Sequence, residues 1–264
     1  TLLLLLLFLG AGAVAVLRTD WAGEKVCAAA RARLPSALGM EVSLGRCAID
    51  PLRNGVEITG FSVTPARAPR PLFAADRLLV RLAALELVFG RIRLERIEAE
   101  RPRVWADLSK VDLSGPGEGC FLDEMARIEL DTLAVTGAEV HIKAPGGRTV
   151  DLDEVDLDLR MSRHSYAVRV VVPRGRVGTG RVELPLSRLR LSSALDLDRK
   201  KLTVNHLEVA AGELKAFVRG DVETLCTPTL GLEASLYLPL DLASAILGPD
   251  APALSGIAAV NLKK

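Results

Sequence analysis

Aromatic residues are scarce in this chain: Phe, Trp and Tyr together make up 4% of its 264 residues. An outer-membrane barrel carries aromatic girdles at both membrane interfaces, and two Trp and two Tyr cannot build them. Charge of one sign is lacking too. Lys plus Arg (34) nearly balance Asp plus Glu (33), which argues against a nucleic-acid partner, since that needs a basic field. No C-x-x-C spacing occurs, which argues against zinc and thioredoxin-like chemistry. The G-x-S-x-G and H-E-x-x-H signatures are missing, and no pair of carboxylates has a catalytic setting. Nothing points to an enzyme, and neither a cofactor nor a metal is expected. Long helices are absent from the pattern, which excludes a βαβ architecture.

What is present is a repeat. Hydrophobic residues make up 49% of the chain, supplied mainly by Leu, Val and Ala. Many of them fall into the pattern Φ-x-Φ-x-x-Φ-x-Φ, where Φ is apolar. It occurs at Val42/Leu44/Cys47/Ile49, Val56/Ile58/Phe61/Val63, Val80/Leu82/Leu85/Leu87 and Ile92/Leu94/Ile97/Ala99. It returns at Ile128/Leu130/Leu133/Val135, Val150/Leu152/Val155/Leu157 and Leu202/Val204/Leu207/Val209. Period two marks a strand with one apolar face. The additional residue between the two pairs is what a β-bulge absorbs, keeping all four side chains on one side. Strands of this kind in series make a large shared apolar surface. That surface is either the core of a sandwich or barrel, or a long groove holding lipid. On the groove reading, its lining is Val42, Leu44, Val56, Ile58, Ile92, Leu94, Ile128, Leu130, Val150, Leu152, Leu202 and Val204.

The organisation read from the pattern has three parts. Residues 1–20 contain the apolar run Leu2–Leu17, a transmembrane anchor or a signal peptide with A-x-A-like sites. Residues 21–39 form a short amphipathic helix that Pro35 bends or ends, with the expected role of plugging one end of the β-structure. Residues 40–264 form one β domain, expected to continue beyond this sequence. Gly45, Asn54-Gly55, Gly60, Gly137, Gly146-Gly147 and Gly220 punctuate its strands. Pro65–Pro71 and Ser114–Gly119 read as loops, and Asp241–Leu247 as a second short helix. Cys27, Cys47, Cys120 and Cys226 allow three disulfide pairings in an exported protein. Cys27 on the helix and Cys47 in the first repeat could be bridged across a helix–strand hairpin.

The remaining candidates for chemistry are weak. His141, His164 and His206 have no nucleophile or metal-ligand partner at motif spacing, and solvent-facing strand positions suit them better. The acidic run Asp151, Asp153, Glu154, Asp156 and Asp158 interleaves with Val and Leu, as on a strand with a solvated face, and lacks a Gly-rich calcium loop. Gly175, Gly178 and Gly180 lack the ending of a phosphate loop and read as a turn. Arg174, Arg176 and Arg181 beside them could meet lipid headgroups.

Two stretches resemble the AsmA-like family of bacterial envelope proteins, which includes the TamB branch. In Leu85–Leu108 the matching residues are Gly90, Ile92, Leu94, Ile97 and Pro102. In Leu238–Leu262 an L-P-L-x-L-A element is followed by Leu254, Gly256 and Leu262. The order of apolar anchor, helix and Gly-rich strands follows the family's layout. The resemblance implies a mainly β fold: a long curved antiparallel sheet, a β-taco, enclosing an apolar groove. It is similar to the chorein-type bridge-like lipid transfer proteins. It further implies a single-pass inner-membrane protein with its bulk in the periplasm. Phospholipids would be its cargo, moved toward the outer membrane. A scaffold, or an outer-membrane assembly factor with an outer-membrane protein partner, is the alternative.

Overall fold

A computed structural model describes residues 20–38, 40–50, 55–65, 68–83, 93–108, 130–162, 165–180, 182–223, 225, 229–240 and 256–263. The apolar run Leu2–Leu17, His164, Arg181, Cys120, Cys226 and the expected helix Asp241–Leu247 lie outside these residues. So do Ile92, Ile128, Leu85, Leu87 and the loop Ser114–Gly119. Among the described residues, no helix is long and apolar enough to cross a membrane.

Among the described residues one helix, α1 (Asp20–Leu38), precedes the strands. Pro35 lies inside it and does not end it. A proline so close to the C-terminal end removes only one backbone donor, and few residues follow to be kinked. Fifteen strands then form a single sheet. They are β1 (Met40–Ser43), β2 (Arg46–Asp50), β3 (Gly55–Pro65), β4 (Phe73–Leu82), β5 (Leu94–Glu100) and β6 (Arg103–Asp107). Next come β7 (Leu130–Ala144), β8 (Arg148–Ser162), β9 (Ser165–Val172), β10 (Arg174–Gly178) and β11 (Glu183–Asp196). The last are β12 (Lys201–Ala211), β13 (Leu214–Glu223), β14 (Thr229–Pro239) and β15 (Ile257–Lys263). The fold is mainly β, as the repeats imply.

The expectation of a wholly antiparallel sheet is corrected at one place. β5 and β6 run parallel to β7, with Leu94 opposite Leu130 and Val104 opposite Val140. A parallel neighbour needs a long crossover, and residues 108–129 between β6 and β7 supply it. Every other pairing is antiparallel.

The x-x steps of the repeats behave in two ways. Some are bulges. Glu95 is the extra residue of β5 against β4, where Arg81 faces Arg96 and Leu82 faces Leu94. Asp153-Glu154 of β8 against β7, and Asn205-His206 of β12 against both β11 and β13, likewise shift the register. Others are kinks shared by neighbours, so the register never shifts. Gly45, between β1 and β2, and Gly60 in β3 stand side by side in this way. A shared kink outside the seven repeats has the same form: Arg101, between β5 and β6, lies beside Gly137 of β7, in the step between Leu133/Val135 and Ala138/Val140. Gly60 (φ 65°), Arg101 (φ 45°), Gly137 (φ 64°) and Glu154 (φ 57°) all have left-handed backbones.

Apart from the bulges at Glu95 and Asn205-His206, these irregularities line up into a crease running across the strands. It passes from the β1/β2 break through Gly60, the β5/β6 break, Gly137 and Glu154. It continues to the β9/β10 break at Pro173 and the extra residue Ser187 of β11. Leu44, Ala75, Pro102, Ala138, Val155, Val172, Leu186 and Ala211 lie along it, and none is more than 8% exposed. Among the described residues only α1 lies against the sheet as a second layer. Burial this deep on a single layer therefore requires the apolar face to be concave.

α1 is fixed to that same face at its first edge. Cys27 is disulfide-bonded to Cys47 of β2, with Cα atoms 5.6 Å apart. Closing a loop of this size is worth roughly 3 kcal/mol. Gly23 lies flat on the Cys47 carbonyl, leaving no room for a Cβ. The Arg31 guanidinium donates to the carbonyls of Leu44 (2.7 Å) and Gly45 (2.8 Å), which the strand break leaves open.

The crease makes two glycines unequal. Gly137→Ala forces an L-residue into the left-handed region but meets only the Arg101 side chain at 3.6 Å. It is expected to cost about 1 kcal/mol. Gly220 (φ 132°) lies against the β14 backbone, where a Cβ would come within 3.0 Å of the Leu232 Cα. Gly220→Ala is therefore expected to lower the urea midpoint by a clearly larger amount, measured with both variants side by side.

Candidate functional site: an apolar face on a single sheet

Directly opposed residues on neighbouring strands point to the same side of a sheet. One cross-strand row can be followed through the whole molecule. It runs Cys47, Ile58, Leu78, Ala99, Val135, Leu157, Val170, Leu191, Leu207, Val218, Ala234, Leu262. No polar residue interrupts it. A neighbouring row runs Val56, Val80, Ile97, Leu133, Leu159, Val168, Ser193, Val204. On the far side of the crease a third runs Val42, Val63, Phe73, Val104, Val140, Leu152.

Of the residues expected to line a groove, all but Ile92 and Ile128 are described, and these ten are placed by strand pairing or burial on this side of the sheet. Val42, Val56, Ile58, Leu152 and Val204 are members of the rows. Leu94 stands between Leu82 and Leu130, Val150 between Ile142 and Val177, and Leu202 between Leu195 and Val222. Leu44 is buried with Cys27 and Cys47 beneath α1. The seven repeats missed β4, β9, β13 and β14 as full members of the face. β4 carries a complete copy at Phe73/Ala75/Leu78/Val80, while β9, β13 and β14 show alternation alone, as in Val168/Val170/Val172.

The face is not uniformly open. One cluster is centred on Val172, Leu186 and Ala138 at the crease. A second gathers Leu159, Tyr166, Leu195 and Leu197 toward the opposite strand ends. Burial raises the Tyr166 phenol above its usual range, partly offset by a hydrogen bond from the Leu130 backbone. Val56, Ile58, Leu94, Leu130, Leu152 and Leu202 are only half-buried: Val56 and Ile58 pack against the cluster beneath α1, Leu152 against the first cluster and Leu202 against the second.

The opposite face carries the charge. Arg77 bridges Glu57 (2.9 Å) and Glu100 (2.7 Å), and the hydrogen bond from Arg77 to Glu57 does most to hold its guanidinium charged. Arg81 and Arg96 share Glu98. Leu79 is buried among these side chains, covered by their aliphatic stems. The acidic run belongs to this face or to the bulge: Asp151 meets His141 (2.8 Å), Glu154 meets Arg174 (2.6 Å) and Asp156 accepts from the Gly137 N–H (2.9 Å). Its carboxylates serve separate partners, and among the described residues no cluster could hold a metal ion. His206 sits exposed in its bulge. Gly175 and Gly178 belong to strand β10, where a Cβ on Gly175 would crowd the Asp151 carbonyl at 2.6 Å and Leu152 at 3.0 Å.

On this polar face the Asp221 carboxyl is lowered, first by the Thr203 hydroxyl at 2.7 Å and then by the Lys201 ammonium at 3.0 Å. A depressed carboxyl stabilises the fold above the ordinary carboxylate range, and that contribution is lost as pH falls through it. Thr203→Val is expected to raise the Asp221 pKa toward its ordinary value, followed by carbon NMR of the side-chain carboxyl. An unchanged titration would assign the depression to Lys201 alone.

No protein-family model, curated protein or solved structure matches this chain, so its function is argued from the geometry of the two faces.

Proposed function

We propose that this chain is part of an inner-membrane-anchored periplasmic protein that conducts phospholipid acyl chains along its apolar face toward the outer membrane. The observation that carries the reading is the row from Cys47 to Leu262, apolar at every position across twelve strands. An acyl chain gains about 0.8 kcal/mol for each CH₂ that leaves water, and it needs a continuous dry surface rather than one tight pocket. Eleven strand spacings of about 4.8 Å give a path on the order of 50 Å, so more strands would be needed to join two membranes. Aliphatic walls with few aromatics keep that path smooth. The β-taco of the AsmA-like proteins, an N-terminal anchor in Leu2–Leu17 and a plug formed by α1 complete the proposal.

A second reading is an envelope scaffold or outer-membrane assembly factor. The packed crease favours a filled core. The β15 edge favours capture of an unfolded strand by sheet extension, since Leu262 (64% exposed), Tyr237 (45%) and Val260 (42%) lie there uncovered.

Substitution separates the two. Val204 is 9% exposed, so Val204→Asp is expected to cost several kcal/mol on either reading, on the order of the penalty for an unpaired buried charge. Leu130 is half-buried, and Leu130→Asp is the discriminating variant. Lipid transfer predicts that the parent co-purifies with phospholipid and that Leu130→Asp folds but has lost it, read by mass spectrometry of extracted lipid. A lipid-free parent together with an unfolded Leu130→Asp would defeat the transfer reading and leave the scaffold.

A further inference from the structure

The polar face carries a cross-strand row of rings near the ends of β3, β6 and β7 and the start of β8. A row crosses it from Leu72 through Trp105 and His141 to Asp151. The Trp105 N–H donates to the Leu72 carbonyl (2.9 Å). Trp105 faces His141, and His141 faces Asp151. The indole stacks on the imidazole with centroids 5.9 Å apart and planes 14° from parallel. The carboxylate of Asp151 holds His141 Nδ1 at 2.8 Å, which fixes the ring of the stack in place. The segment Ala68–Pro71 forms a wall beside this row, turned there by the bond from the Ala68 N–H to the Pro65 carbonyl (3.0 Å). Together they line a cavity of about 750 Å³.

We propose that this cavity binds a small aromatic anion: a flat ring system bearing one sulfonate, carboxylate or phosphate. The size lies in the range of small-molecule sites, and the lining is mostly apolar with few polar groups, as such sites are. A pre-stacked indole–imidazole pair offers a rigid π surface for a third ring. Pro69 and Pro71 add apolar walls that lose little entropy on binding. The charge around it selects the sign of the ligand. Arg70 and Lys143 line the cavity, and Arg176 stands opposite Asp151 on the next strand. Among the described residues none of these three has an ion-pair partner, a state they share with Arg169, Arg190 and Lys215; what sets them apart is that they gather at one cavity. The two acids of the lining are already engaged, Asp151 by His141 and Asp107 elsewhere. Trp105, His141 and Asp151 lie on the face opposite the apolar rows, while Ala106 and Ile142, which also line the cavity, alternate onto the apolar face.

The test uses 8-anilinonaphthalene-1-sulfonate and its uncharged counterpart N-phenyl-1-naphthylamine. Trp21 and Trp105 are the only tryptophans, so the full chain carrying Trp21→Phe leaves Trp105 as the sole indole donor. Energy transfer from Trp105 to the sulfonate is expected to saturate at one probe per chain. The double variant Arg70→Glu/Lys143→Glu is expected to weaken the sulfonate at least tenfold and the neutral amine less than twofold. Arg70→Met/Lys143→Met, which keeps the stems and removes the charge, is expected to weaken the sulfonate in the same direction. Absence of saturable transfer would overturn the proposal. So would a sulfonate affinity unchanged in both charge variants, or an equal loss for the two probes.

Discussion

A strand that bends without turning its side chains over must absorb an odd residue at the bend. That constraint of phase underlies the whole molecule. Period-two alternation puts every second side chain on one face, so a one-residue error would send half of each strand's apolar residues into water. The x-x step of the repeat supplies the missing residue. It is taken up as a bulge in β5, β8 and β12, and as a shared kink at Gly45/Gly60 and Arg101/Gly137. Because neighbouring strands bend at matching positions, the kinks align into one crease. Hydrogen bonding continues across it, as in the bonds from Arg101 N–H to Thr136 (2.8 Å) and from Glu139 N–H to Pro102 (2.9 Å).

The two faces follow from that alignment. On the concave side, burial at Val172, Leu186 and Ala138 holds the crease together, while residues farther along the arms stay half-buried. On the convex side, short-range ion pairs such as Glu57–Arg77–Glu100 zip neighbouring strands. Exposed pairs of this kind contribute little individually. Their greater consequence is to keep the convex face wet, so that only one face of the sheet is apolar. The Trp105–His141 stack adds an apolar patch to the convex face, walled on one side by a proline-rich loop and fringed by cations.

Much of this was legible in the residues, because phase is written directly in the spacing. Asp153-Glu154 and Asn205-His206 were readable as bulges from the polar pair inserted between two apolar pairs. The parallel placement of β5 and β6 beside β7 was not, since nothing local distinguishes a crossover from a hairpin. The matched repeats Ile92/Leu94/Ile97/Ala99 and Ile128/Leu130/Leu133/Val135 hold the only clue, because strands paired in parallel register present equivalent positions side by side. Ser187 was legible by the same rule as the bulges, since it opens the x-x step of Leu184/Leu186/Leu189/Leu191, a further copy of the repeat that the seven do not include. The cavity was hidden. Trp105, His141 and Asp151 come from three strands with no common motif, and only the pairing brings them together.

The central claim is that one face of this sheet meets acyl chains and the other does not. A photo-crosslinking amino acid placed singly in the cell-expressed protein tests it most directly. Leu94 and Ile58 report the concave face, and Arg169 and Arg190 the convex one. The account predicts phospholipid adducts from Leu94 and Ile58 on irradiation and none from Arg169 or Arg190. Equal adduct yields from both faces, or none from Leu94 and Ile58, would contradict it.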